Sequence, residues 1–495
     1  VPVLFTKLSE LYEMNHCMTT KRIGLLLGPL AFLLVLFIVR PQGLPFAGTA
    51  VLAATAWMAI WWTTEAISIA VTSLLPIILF PLTGVLPASE ITASYGHYIV
   101  FLFLGGFMIA MAVERWNLHR RIALGTIALI GSNLKMIILG AMLATAFLSM
   151  WISNTATSVM MLPIAMAIAR QLADDPATEE DENETFGKAL MLAIAYSASI
   201  GGMATLIGTP VNGVLLGQVE TVFGVEIGFM DWFWIGFPIS MLLLFICWWY
   251  LTRIAFRFKA SAFAGGRAEV RRLQRELGPI SREEIKVLIV FVCTALAWIF
   301  RESLAEILPG INDSVIAMIG ATTLFLIPGR EAGEKLLSWD EAVRLPWGVV
   351  LLLGGGFALA AGFSAGGLAD YIAANLSVPE TVGVLLITLL VVAAVNFLTE
   401  ITSNVATTSM LLPVLAVAAG PLGVSPSSLM VPATLAATCA FMLPVATPPN
   451  AVVFGSGYLT IPDMARAGFR MNLVSIFIIT LACYFMLPLL AGFAF

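Results

Sequence analysis

The sequence predicts an all-α polytopic membrane protein of about 11 transmembrane helices plus two re-entrant hairpins, arranged as two inverted-topology repeats. Three observations carry this. The 495 residues are 60% hydrophobic and only 11% charged, with a mean hydropathy of +0.97, whereas soluble domains carry about 25% charged residues. Such a chain cannot cover a water-facing surface, which excludes a soluble enzyme, a nucleic-acid binder and a disordered scaffold. The positive charges partition to one side of the predicted spans. The chain also repeats itself at an offset of 250 residues.

A membrane helix needs about 20 mostly apolar residues. Spans read at 23–39, 47–63, 66–86, 97–113, 188–222, 231–252, 283–300, 313–328, 347–363, 428–457 and 471–494. Two further stretches, 133–170 and 380–419, are each broken near the middle by a polar cluster. Their length suffices to enter the membrane, turn and leave on the same side, so they are expected to be re-entrant hairpins. Residues 1–22 do not read as a cleavable signal, because Arg40-Pro41 follows the first apolar run in place of a small-residue cleavage site. With the N-terminus cytoplasmic and only full crossings counted, 23 of the 25 Lys and Arg fall inside, leaving Arg40 and Arg301 outside. This points to a multi-pass protein of the cell (plasma or inner) membrane. The first hairpin then opens from the cytoplasm and the second from outside.

The basic segment 253–286 reads as a solvated cytoplasmic arm held near anionic headgroups, with a short amphipathic helix from Arg267. Asp174–Glu184 reads as a solvated linker. The five cysteines, Cys17, Cys247, Cys293, Cys439 and Cys483, form no CxxC pair. That argues against a zinc ribbon or a disulfide framework.

The repeat is specific. Val100–Phe107 (VFLFLGGF) returns as Val350–Phe357 (VLLLGGGF), and Ser153-Asn154-Thr155 returns as Ser403-Asn404-Val405. Met160, Leu162 and Pro163 recur as Met410, Leu412 and Pro413. A third pair follows at a slightly different offset: Gly208-Thr209-Pro210-Val211-Asn212 and Ala446-Thr447-Pro448-Pro449-Asn450. Composition alone aligns Leu with Leu, but not a polar cluster, a proline and two glycines in register. The first members of the two repeats lie an odd number of crossings apart, so the repeats run through the membrane in opposite directions. Inverted repeats with broken helices near the midplane are the architecture of secondary transporters.

Each half therefore supplies two interruptions, a Ser-Asn hairpin tip and a Thr-Pro break within a long span. Non-helical backbone at membrane depth is tolerated only where it lines a cavity or is buried in protein. Pro210 and Pro448 should break their helices, because proline lacks the N–H and clashes with the preceding turn. The freed carbonyls, with Asn and Ser/Thr oxygens, are hard neutral ligands suited to Na⁺. The freed N–H groups attract anions. No Lys or Arg is expected near the tips, Lys135 lying at the mouth of the first hairpin. Cation binding would then be a precondition for binding a doubly negative substrate. The competing reading is that the small and hydroxylated residues, such as Gly105, Ser158 and Thr408, merely pack helices. Glu65 reads either as a tight-turn residue or as a coupling group, and Glu400 either as a brace of the second hairpin or as a functional carboxylate. His16, His97 and His119 lie at predicted helix ends.

At these tips and breaks the chain resembles the divalent anion–sodium symporter family, which carries succinate, malate, fumarate and citrate. The resemblance runs from about residue 45 to the C-terminus. It implies one Na⁺ site at Ser149, Ser153, Asn154 and Gly208, and a second at Thr399, Ser403, Asn404 and Ala446. It implies substrate contacts at Asn154, Thr155, Thr209, Pro210, Asn404, Val405, Thr447 and Pro448. Val405 departs from Thr155 and cannot donate a side-chain hydrogen bond. The resemblance further implies a homodimer with an elevator-type motion. Its divisions are a cytoplasmic segment 1–22, scaffold helices 23–96, a first transport unit 97–230 and scaffold helices 231–346. A second transport unit 347–470 and a last helix 471–495 follow.

The expected activity is thus Na⁺-coupled symport of C4-dicarboxylates (succinate, malate, fumarate), with Na⁺ as the co-transported ion. A Na⁺-independent dicarboxylate or tricarboxylate exchanger of the same fold is the alternative. An intramembrane enzyme is disfavoured, since no HExxH motif is present. A simple channel has no need for paired amide tips.

Overall fold

The computed structural model describes residues 20–131, 133–173, 180–256, 264–331, 333–375 and 383–495. His16 and Cys17, most of the N-terminal segment 1–22 and most of the acidic linker lie outside them. The described residues are helical and contain no strand. In chain order, α1 is Thr20–Val39, ending in a π-turn, and α2 is Phe46–Thr64. The third expected span is split into α3 (Ile69–Thr72) and α4 (Leu75–Thr83). Pro76, in the first turn of α4, cannot continue a helix through Ser73 and Leu74. Short α5 (Ala88–Tyr95) leads into α6 (Tyr98–Arg115).

The first hairpin follows α7 (Leu118–Ile130) and comprises α8 (Leu134–Ser149) and α9 (Asn154–Ala173). Asn133 caps α8, its Oδ1 accepting from Met136 N at 3.1 Å. The expected span 188–222 is α10 (Glu180–Gly202), a break, and α11 (Pro210–Phe223). Then come α12 (Phe229–Tyr250), α13 (Ala264–Glu276), α14 (Arg282–Ile299), α15 (Arg301–Ile307), α16 (Asp313–Leu326) and α17 (Trp339–Ala342). The second half repeats the plan. It runs α18 (Trp347–Ala365), α19 (Leu368–Asn375), α20 (Val384–Leu398), α21 (Asn404–Ala418), α22 (Ser427–Thr438), α23 (Pro448–Phe454) and α24 (Ile461–Met486).

Among the described residues six helices are long and apolar enough to cross a membrane unbroken, or seven if α14 and α15, bent by 82°, count as one. Several other expected spans are interrupted where polar residues or prolines fall. α7 and α19 were not anticipated. They are short, and α7 mixes Arg120 and Arg121 into its apolar pattern. Each follows a left-handed residue at the same repeat position, Asn117 (φ 58°) and Gly367 (φ 70°). The turn that redirects the chain was thus copied along with the helices. The last span begins earlier than expected, at Ile461, where a Thr460–Asp463 capping box starts α24.

The basic arm is not a free solvated segment. α13 packs on α7 and α9. Val270 is buried, and Gln274 Nε2 donates to Leu124 O at 3.3 Å. Its apolar stripe has a partner within the protein.

Many apolar side chains point outward, among them Leu26, Leu30 and Ile38 on α1, Leu82 on α4 and Phe485 on α24. This is the reverse of a soluble exterior and matches a lipid-facing belt. Inside, α8 packs on α10, α20 on α22 and α24, and α6 on α16. α12, placed by sequence with the scaffold, packs mainly on α10, α24 and α8. The two short helices beyond the breaks cross over. α11 packs on α18 and α21 of the second half, and α23 packs on α9 and α10 of the first.

Candidate functional site

Each tip lies against the break of its own half. In the first half α8 ends at Ser149 and α9 starts at Asn154, so the turn between them cannot be helical. Ser149 Oγ donates to Ala198 O of α10 at 2.7 Å and lies 2.7 Å from the Asn154 amide. With its nitrogen turned inward, that amide donates to Ala198 O at 3.2 Å, Gly208 O at 3.3 Å and Ser149 Oγ at 2.7 Å. With its oxygen turned inward, four oxygens converge: one hydroxyl, two backbone carbonyls and one amide. That is a donor set for a hard cation.

The second half reproduces three of these four oxygens. Thr399 Oγ1 donates to Ala437 O of α22 at 3.0 Å and to Asn404 Oδ1 at 2.6 Å. Ser158 and Thr408 return their hydroxyls to Asn154 O and Asn404 O at 2.9 and 2.8 Å. These are local helix bonds, in keeping with their packing role.

Close backbone approach makes the first cluster possible. A Cβ on Gly202 would meet Asn154 Cγ and Nδ2 at 2.9 Å, and one on Gly208 would meet Gly202 C and Cα at 3.0 Å. Glycine at both positions lets the break fold over the tip. The second half has Ala446 in place of Gly208.

Of the predicted cation ligands, Ser149, Asn154 and Gly208 come together in one cluster, and Thr399 and Asn404 meet in the other. Ser153 sits just before α9, its Oγ accepting from Ala156 N at 3.3 Å. Ser403 is the N-cap residue of α21, its carbonyl accepting from Thr407 N at 2.9 Å. Ala446 is buried, and its N–H donates to Leu443 O at 3.2 Å. Of the predicted substrate residues, Thr155 and Pro448 are exposed while Thr209 and Thr447 are buried. Thr447 Oγ1 caps α23 by accepting from Asn450 N at 3.3 Å. Pro210 opens α11 and is half-buried, and Val405 is half-buried against the hydrophobic core.

Two expectations are corrected. The freed amides of the second break are not vacant for an external anion. Glu400 is buried and its carboxylate accepts from Phe441 N at 2.7 Å, Met442 N at 3.0 Å and Leu443 N at 3.1 Å. It braces tip to break, one of its two expected roles. The equivalent position in the first half is Met150, whose carbonyl accepts from Thr205 Oγ1. Nor are cations remote from the tips. A cavity of about 540 Å³ is lined by Ser153, Ala156, Arg115 and Arg344 together with Glu114 and Glu341. Arg115 there pairs with Glu334 at 2.5 Å and with Glu341. Glu65 lies elsewhere, in the turn after α2, exposed and 3.7 Å from Lys21.

Sequence reasoning missed the aromatic seat of the first tip. Trp151 lies 11° from parallel to Trp298 and 17° from Phe229, with ring centroids 6.2 and 6.0 Å away. Its pair partner Ile401 is exposed. This asymmetry was hidden because the stacking partners come from α12 and α14, far away in sequence.

An apolar exterior, two buried pairs of interrupted helices and matched oxygen clusters at their breaks define a membrane transporter, not an enzyme. The chain matches the sodium:sulfate symporter transmembrane region over residues 19–491 and belongs to that family. It is 47% identical over 477 residues to the sodium-dependent dicarboxylate transporter SdcS of Staphylococcus saprophyticus, spanning 95% of this chain and 92% of that protein. It is 47% identical over 481 residues to SdcS of Staphylococcus aureus (strain MRSA252), spanning 96% of this chain and 92% of that protein. Among solved structures, MtrF of Neisseria gonorrhoeae, described within a class of antimetabolite efflux pumps, shares the fold at a TM-score of 0.53 and 11% identity. That match covers 80% of this chain and 83% of that one. The YdaH transporter of Alcanivorax borkumensis does so at 0.51 and 13%, covering 82% and 88%.

Proposed function

We propose that this protein is a secondary active transporter that couples Na⁺ entry to uptake of a C4-dicarboxylate, such as succinate, malate or fumarate, across the cell membrane. The observation that carries the reading is the duplicated oxygen cluster: Ser149–Asn154–Ala198–Gly208 in one half and Thr399–Asn404–Ala437 in the other. Neutral oxygens without carboxylates suit a monovalent ion, which gains its ligands at the cost of its water. The SdcS relatives, named as sodium-dependent dicarboxylate transporters, support the same pairing of ion and substrate.

In this reading Ser149, Ser153, Asn154 and Gly208 hold one Na⁺, and Thr399, Ser403, Asn404 and Ala446 hold the other. The substrate lies between the two tips, against Asn154, Thr155, Thr209, Pro210, Asn404, Val405, Thr447 and Pro448. Its two negative charges are met by the bound ions and by hydroxyl, amide and backbone donors. With both cages empty the attraction is weak, so substrate binds after Na⁺ and the two move together.

The hairpins, the broken spans and the helices packed on them, α12 and α24, form the moving part. The remaining helices form a scaffold that pairs with a second copy. The two halves are inserted in opposite senses, with the N-terminus cytoplasmic, and the cavity at Ser153 and Arg344 is the cytoplasmic approach. Uptake of radiolabelled succinate into proteoliposomes tests this. An inward Na⁺ gradient drives accumulation, and replacing Na⁺ with choline removes it. Persistent uptake in choline, dependent on internal dicarboxylate, would instead establish an exchanger.

A further inference from the structure

Two asparagines outside the proposed cages carry a duplicated role. Asn212 and Asn450 each occupy the third position of a helix that opens with proline, α11 and α23. Both are fully buried. Asn212 Nδ2 donates to Gly202 O at 3.4 Å and Thr205 O at 2.8 Å. Asn450 Nδ2 donates to Ala440 O at 3.1 Å and Leu443 O at 3.0 Å. In each half the acceptors lie ten and seven residues upstream. The loops closed this way share little sequence, MATLI against FMLPV for the residues between the paired Gly202/Ala440 and Gly208/Ala446 ends, yet the bonding is the same.

The consequence reaches the cages through one shared atom. Thr205 O also accepts from Gly208 N at 3.4 Å, and Leu443 O accepts from Ala446 N at 3.2 Å. Each asparagine thus fixes the carbonyl against which the cage residue's own N–H is tethered. Gly208 O then stands 3.3 Å from the Asn154 amide. Breaking a helix strips several carbonyls of their partners. A break left to itself would sample many arrangements of those oxygens. A side-chain amide spanning ten residues holds the loop in one. The other amide atom, Oδ1 of both Asn212 and Asn450, is buried without a partner, so neither side chain is held by its oxygen.

We propose that Asn212 and Asn450 are positioning residues for the two cation cages, each clamping its break loop so that the Gly208 and Ala446 carbonyls face the ion before it arrives. The inference rests on the Na⁺ reading given above. A cage preorganised in this way binds its ion without first ordering the loop.

The test uses the purified full-length protein in detergent. Unfolding temperature is followed as Na⁺ is raised at constant ionic strength with choline, and Na⁺ half-saturation is measured in parallel by uptake in proteoliposomes. For Asn212→Leu and Asn450→Leu we expect the half-saturating Na⁺ concentration to rise at least tenfold, with substrate KM at saturating Na⁺ changed less than threefold. Asn212→Ser, which keeps one donor and is smaller, guards against a Leu variant that does not fold. It should raise Na⁺ half-saturation by an intermediate factor. Variants that lose stability without Na⁺ but keep the wild-type half-saturation would overturn the proposal, leaving these residues as ordinary core bonds. Absence of any Na⁺-specific stabilisation and uptake in the wild type would instead defeat the Na⁺ reading itself.

Discussion

The side-chain amide of Asn472 donates to the Glu400 carboxylate at 2.7 Å, tying the last long helix to the second hairpin tip. Three backbone N–H groups complete the shell of that carboxylate. A buried charge is tolerable only when its lone pairs are met in this way. Replacing Asn472 with Ala removes the one side-chain donor to that carboxylate and should cost about 1.5–3 kcal/mol of stability, the usual worth of a hydrogen bond to a charged group. Thermal unfolding in detergent would measure it, and Asn472→Gln, which retains the amide, should lose less.

Asn154→Ala and Asn404→Ala each remove the amide at the centre of a cluster. We expect each to reduce Na⁺-driven uptake by roughly a hundredfold, equivalent to about 3 kcal/mol, with elution on size exclusion unchanged. Uptake near the wild-type rate in either variant would remove that residue from the site.

The two cages differ in tolerance. Gly208→Ala drives a methyl group into the Gly202 backbone, and overpacking of this kind costs about 1–3 kcal/mol. Ala446→Gly removes a methyl at the paired position. Uptake titrated with Na⁺ should show a large loss for the first variant and less than a threefold change for the second.

Glu334 provides a pH test away from the membrane interior. Backbone N–H donation from Glu331 and Arg330, with the Arg115 guanidinium, holds its carboxyl below the usual glutamate range. A depressed folded-state value means that its stabilising effect is complete above the ordinary value of about 4.3 and is lost as pH falls through the lower folded one. Acid unfolding followed by tryptophan fluorescence should show a weaker pH dependence in Glu334→Gln over that acid window.

The Ser-Asn tips and Thr-Pro breaks were legible because polar residues and proline stand out against an apolar chain, and because they occur twice. Pairing of each tip with its own break came from the family resemblance. The carbonyls of Ala198 and Ala437 were not legible, since any residue supplies a carbonyl and only backbone geometry selects it. Arg115 and Arg344, 38 and 191 positions from Ser153 in sequence, reach the cavity beside it only through folding, and local reading has no access to such distances. Glu400 was ambiguous because three of its four partners are backbone N–H groups, which leave no mark on sequence.

The crossing of α11 and α23 into opposite halves has a further consequence. Neither repeat encloses its own interior, so half of this chain produced alone would expose an unfilled apolar groove where the other half's short helix belongs. Covering that groove would take a second copy of the same half, supplying its own short helix in exchange. Within one chain the two halves need not match residue for residue, as Gly208 against Ala446 and Met150 against Glu400 show.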